Sequence, residues 1–181
     1  MYLFFFSMSV SNILQFLSLC GKLKRTVRTG WTRFDIKQPE SVADHMYRMA
    51  LMSFVIPADD RQDVSVERVM KMAVVHDLAE SLVGDITPYC NVTKEEKYTR
   101  EATAMNQLCD LVPKESADEI QALWNEYEAQ ETMEARFCKD FDKFEMLLQA
   151  FEYEKENNQP KQLEDFFSNT LDCFVTPTVK N

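Results

Sequence analysis

The stretch MAVVHDLAESLVGDITP, residues 72–88, decides how this chain is read. Val69, Ala73, His76, Glu80 and Val83 recur at spacings of four, three, four and three, which puts them on one stripe of a helix. Three of the five are apolar, so the stripe faces inward and takes a histidine and a carboxylate with it. Each costs about 1–3 kcal/mol in a core if left unpaired, so partners or a metal must satisfy them. Ser65 caps the start of the run, and Gly84 and then Pro88 end it, which predicts one helix from Ser65 to about Val83.

The same signals recur on both sides. Ser41 and Asp44 open a helix that reaches about Ile56 before Pro57. Thr93 and Glu96 form a capping box for another, running to about Val112. Further helices are expected from Lys114 to Ala129, Thr132 to Lys155 and Pro160 to about Phe174. Ile13, Phe16, Leu17, Cys20 and Leu23 describe an amphipathic helix lying on the core. Before it, the chain begins MYLFFFS with no preceding Lys or Arg, and Ser and Asn soon interrupt the apolar run. Residues 1–12 therefore read as an apolar extension, with Met8 an ordinary start, and not as a signal peptide or a membrane span. Residues 13–175 form one domain and 176–181 a tail, with no internal repeat. The fold class is all-α, a compact single-domain bundle of six to seven helices.

Composition narrows the function. Only 3 Gly and 6 Pro accompany 45% hydrophobic residues in 181, too little punctuation for a sandwich, a barrel or a Gly-rich nucleotide fold. Thirty acidic against 20 basic side chains give a net charge of −10, which repels phosphate backbones and anionic lipid and excludes duplex nucleic acid and polybasic membrane docking. The five cysteines are scattered and never spaced as C-x-x-C, as expected of reduced thiols in a cytoplasmic or nuclear protein.

The chain has only two histidines, His45 and His76, and Asp77 follows the second. Adjacent helical residues lie about 100° apart, so His76 and Asp77 can both bend toward one ion at the helix flank. Imidazole and carboxylate together suit one divalent Mn, Co, Fe, Ni or Zn ion. A second helix must then supply His45 and a third another carboxylate.

The segments RTGW (28–31), PESVADHMYRMALM (39–52), MAVVHDLAESLVGDITP (72–88), TKEEKYTREATAM (93–105) and FCKDFDKFEMLLQAFEYE (137–154) resemble, in that order, the HD-domain phosphohydrolases, and within them the 5′-deoxynucleotidases. The resemblance runs from about Leu14 to Glu156 and implies one metal held by His45, His76, Asp77 and Asp142. Periodicity alone points elsewhere for the fourth ligand: Phe137, Phe141, Phe144, Leu148 and Phe151 form an apolar stripe with Asp140 beside it. The family's Lys-x-x-Asp arrangement, here Lys139 to Asp142, selects Asp142. The resemblance further implies Glu80 as general base or water-orienter and Asp85 as general acid. Arg28 suits a phosphate and Trp31 a sugar or base, although bacterial relatives set such a pair side by side and this chain does not. Lys97 and Lys139 can also meet a phosphate, but in a chain with 20 basic residues a solvated lysine is the plainer reading.

With no further histidine to recruit, a mononuclear monoesterase acting on deoxyribonucleoside 5′-monophosphates is expected, as a homodimer by analogy with its relatives. The alternatives are an HD-type nucleoside triphosphate or alarmone hydrolase, and a non-catalytic adaptor with a structural metal. Structural sites are normally coordinatively closed, so Glu80 and Asp85 beside the ion favour catalysis over the adaptor.

Overall fold

The structure, a computed structural model, describes residues 9–180; residues 1–8 of the expected extension lie outside the described residues. Seven helices of seven residues or more carry the described fold: α1 (Val10–Cys20), α2 (Val42–Met52), α3 (Val66–Val75), α5 (Lys94–Cys109), α6 (Lys114–Ala129), α7 (Met133–Asn157) and α8 (Glu164–Thr170). Two single-turn helices, α4 (Glu80–Val83) and α9 (Pro177–Lys180), complete them. Among the described residues the extended pairing is limited to an isolated bridge between Val27 and Ser41, and no helix is long and apolar enough to cross a membrane.

Caps set the helix starts. Ser41 Oγ accepts from Asp44 N at 3.2 Å while Asp44 accepts from Ser41 N at 2.9 Å, the reciprocal box that opens α2. Ser65, Thr93 and Thr132 accept from the third residue beyond them in the same way. Helices α2, α3 and α7 pack pairwise on one another, and Val42, Met49, Val69, Met72, Ala73, Phe137 and Cys138 are fully buried where they meet. Burying each large side chain of this kind contributes about 1.5–3 kcal/mol. A smaller cluster of Trp31, Ala150, Tyr153 and Leu163 sits at the far end of α7, with Phe34 and Phe166 against it.

Four expectations need correction. The helix predicted from Ser65 to Val83 is broken. After α3, Leu78 N bonds to Val75 O, Glu80 N to Asp77 O and Ser81 N to Leu78 O, at 3.0–3.1 Å. These three-residue rings wind the chain more tightly than an α-helix, so that residues three apart eclipse. Residues 10–12, assigned to the extension, form the first turn of α1. On that helix Phe16 and Cys20 pack on the core, but Ile13 and Leu17 stay largely exposed, so its amphipathic face is only half covered. Thr176, assigned to the tail, is buried because Asp140 on α7 accepts from Val175 N at 3.0 Å, from Thr176 N at 2.7 Å and from Thr176 Oγ1 at 2.6 Å.

Candidate metal centre and the cavities beside it

The tight winding after α3 explains how one short segment delivers three polar groups. His76 stays on the inward stripe, while Asp77 and Glu80, eclipsed by the three-residue turn, both face a cavity of about 300 Å³. Helix α2 brings in His45 and α7 brings in Asp142. Ligand atoms of His45, His76 and Asp142 lie within 4.8 Å of one another. Asp77 Oδ2 is 3.1 Å from His76 Nε2 and 3.9 Å from His45 Nε2, and Asp142 Oδ1 is 3.4 Å from His45 Nε2.

The donor set fits a divalent ion. His45 Nε2, His76 Nε2 and Asp77 Oδ2 are buried without a hydrogen-bond partner, which costs free energy unless something binds them together. His76 Nδ1 lies 3.0 Å from Ala73 O, and a carbonyl only accepts, so the ring's hydrogen sits on Nδ1 and the Nε2 lone pair faces the cavity. Asp142 divides its oxygens. Oδ2 accepts from Tyr127 Oη at 2.7 Å and Lys139 Nζ at 2.9 Å, which leaves Oδ1 turned to the histidines. Burial opposes ionisation of Asp142, but the Lys139 ammonium beside it holds its carboxyl well below the usual carboxylate range.

The other expected residues stand around this centre. Glu80 is 3% exposed and its Oε2 has no partner; burial, with the Asp77 and Asp85 charges, pushes its carboxyl well up. Asp85 follows Gly84, whose φ of +76° and ψ of 171° belong to glycine and turn the chain back. Thr29 N donates to Asp85 Oδ2 at 2.6 Å and Thr29 Oγ1 to Asp85 O at 2.8 Å, fixing that turn to the Arg28 segment. Burial raises the Asp85 carboxyl. The Arg28 guanidinium reaches to 3.7 Å from Asp77 and 4.0 Å from Asp142.

Trp31 departs from its expected role. It is 1% exposed, its indole N–H donates to Glu40 at 2.9 Å, and its ring packs on Tyr153 and Phe166. It therefore works chiefly as core, with one edge on a second cavity of about 270 Å³ that also meets Arg28, Asp85, Tyr89, Met146 and Phe166. Lys97 and Lys139 are not simply solvated. Lys97 Nζ donates to Ile86 O at 3.0 Å, Lys139 Nζ to Tyr127 Oη at 2.8 Å, and both line the metal-side cavity with Arg28 and Lys94. These four cations share the cavity with six carboxylates, Asp77, Glu80, Asp85, Glu101, Glu128 and Asp142, a lining that suits a divalent cation and an anion together. Sequence reasoning missed Glu145, Arg48 and Tyr127. Of these, Glu145 Oε2 lies 2.5 Å from His45 Nδ1.

The chain is 48% identical over 168 residues to the Homo sapiens protein named 5′-deoxynucleotidase HDDC2, covering 93% of this chain and 81% of that one. It is likewise 48% identical over 159 residues to the Schizosaccharomyces pombe 5′-deoxynucleotidase hdd1, covering 86% and 79%. Among solved structures, the PH0347 protein from Pyrococcus horikoshii OT3 superposes with a TM-score of 0.72 at 32% identity, over 88% of this chain and 87% of that one. The sequence profile of the HD domain matches residues 20–175. With its paired histidines and carboxylates gathered where α2, α7 and the turn after α3 meet, the chain belongs to the HD domain family.

Proposed function

We propose that the protein is a metal-dependent phosphomonoesterase that hydrolyses deoxyribonucleoside 5′-monophosphates to deoxynucleoside and inorganic phosphate. The observation that carries this reading is the convergence of His45, His76 and Asp142 beside a cavity where Arg28 stands with the carboxylates of Asp77, Glu80 and Asp85. The 5′-deoxynucleotidase names of relatives 48% identical to the chain supply the substrate class.

His45, His76, Asp77 and Asp142 would hold the ion, one of Mn, Co, Fe, Ni or Zn. When bound, it polarises the phosphoryl group and lowers the pKa of a water. Arg28, which lines both cavities, holds the phosphate. The unpartnered Glu80 carboxylate orients the attacking water and takes its proton, and its raised proton affinity suits that task. As the P–O5′ bond breaks, Asp85 gives a proton to the leaving oxygen; burial favours its protonated form. The second cavity, with an edge of Trp31 and with Phe166, Tyr89 and Met146, takes the nucleoside. The homodimer and the cytoplasmic setting belong to the same proposal, and light scattering tests the first.

Phosphate release from matched deoxy and ribo mononucleotides, before and after chelation, tests the reading. Deoxy forms should give the higher kcat/KM, and chelation should abolish release. Equal values would remove the deoxy preference, and faster release from triphosphates would favour the alternative hydrolase. No metal-dependent release would favour the adaptor. Glu80→Ala should keep the ion and lose kcat by about 10²-fold or more. A near-normal rate in that variant, fully metallated, would strip Glu80 of its role.

A further inference from the structure

We propose that Glu145, braced by Arg48, is a positioning residue that locks the His45 ring so that Nε2, and not Nδ1, meets the metal. The inference rests on the metal-centre reading above and is independent of which ester is cleaved.

His45 and Glu145 are both 0% exposed, and His45 Nδ1 lies 2.5 Å from Glu145 Oε2. An ionised carboxylate only accepts, so Nδ1 carries a hydrogen there and the opposite nitrogen is turned to Asp77 and Asp142. His76 reaches the same state differently, by donating to the backbone of its own turn at Ala73. No substitution removes a backbone carbonyl, whereas the orienter of His45 is a side chain from another helix. Glu145 stands three residues beyond Asp142 on α7, so one face of one helix supplies both a ligand and the clamp on a ligand of α2.

The clamp is closed behind. Glu145 Oε1 accepts from Arg48 Nε at 2.8 Å and forms an ion pair with Nη2 at 2.7 Å, and Arg48 lies three residues after His45 on α2. Arg48 is in turn held by Glu152 at 2.6 Å and Gln149 at 2.5 Å. A buried carboxylate is costly unless its lone pairs are satisfied, and both oxygens of Glu145 are. A plain staple between α2 and α7 would stabilise the fold without choosing which ring nitrogen is presented. A positioning group does both, and that difference is measurable.

The chain has two histidines, which makes their ring nitrogens readable by long-range ¹H–¹⁵N NMR of the zinc-loaded protein. Each ring should show a protonated Nδ1 and a metal-bound Nε2. Chelator competition on the metal-stripped protein gives the affinity for Zn²⁺. Glu145→Ala should weaken Zn²⁺ by about 10–100-fold, the usual cost of losing such a support. One ring should then lose its single signature. Glu145→Gln keeps an acceptor for Nδ1–H and should keep that signature. If Glu145→Ala fails to fold in a thermal melt, Arg48→Ala takes its place, with a several-fold weaker affinity expected. Wild-type affinity and unchanged ring signals in the folded variant would overturn the proposal alone, whereas a wild type that binds no metal would overturn the metal centre as well.

Discussion

Two positions apart on α7, Asp142 turns Oδ1 to His45 at 3.4 Å while Asp140 gives its oxygens to the backbone of Val175 and Thr176. Asp142→Ala should therefore lose the metal and nearly all turnover. Asp140→Ala should retain the metal but fold less stably by about 1–3 kcal/mol, because it leaves buried donors without an acceptor. Metal analysis beside denaturant unfolding checks both, and the opposite ranking for metal would move the fourth ligand to Asp140. Periodicity had pointed to Asp140 for a sound reason: it is buried, at 0% exposure. Burial alone does not distinguish a ligand from a carboxylate that accepts backbone N–H groups. The signal for Glu145 was also present in the sequence, as an acid three residues after Asp142 matched by Arg48 three residues after His45. It was silent because such spacings are common on solvated helix faces, and only the packing of α2 on α7 turns them inward.

Among the elements, the turn from α4 into Asp85 carries the most consequence. Gly84→Ala adds a Cβ that meets nothing within 4 Å, so the expected penalty is one of backbone strain at φ +76°, about 1–3 kcal/mol. It should also move Asp85 off Thr29, so kcat should fall more than metal affinity; equal losses would tie the turn to the ion instead. On α5, burial pushes the Glu101 carboxyl up to about 7 from an ordinary 4.5, despite the neighbouring Lys97. A raised folded-state pKa means that the folded chain binds the proton more tightly. The associated stability is full below about pH 4.5 and is lost as pH rises through about 7. Glu101→Gln should remove that dependence, so its denaturation midpoint should gain on the wild type between pH 5 and pH 8. A constant gap between the two would mean that Glu101 does not titrate in this range. The helices themselves were legible where caps and prolines stood, as at Lys114–Ala129, which the structure reproduces to the residue. The break after α3 was not, since no Gly or Pro marks it and 76–83 keeps a good helical pattern.

Across the whole molecule, the all-α class followed from the scarcity of Gly and Pro together with repeated capping pairs, and the arrangement of α2, α3 and α7 put the two histidines together. What the pattern did not reveal was closure at the far end, where a segment read as tail is fastened by Asp140 to the helix that bears Asp142. That fastening makes the end of the described chain a remote gauge of the metal centre. The amide hydrogens of Val175 and Thr176 can exchange with solvent only when their bonds to α7 open. Adding Zn²⁺ to metal-stripped protein should slow exchange at these two amides and leave those near Val10, in α1, as they were. Equal rates with and without the ion would mean that the hook opens by itself, without α7 yielding.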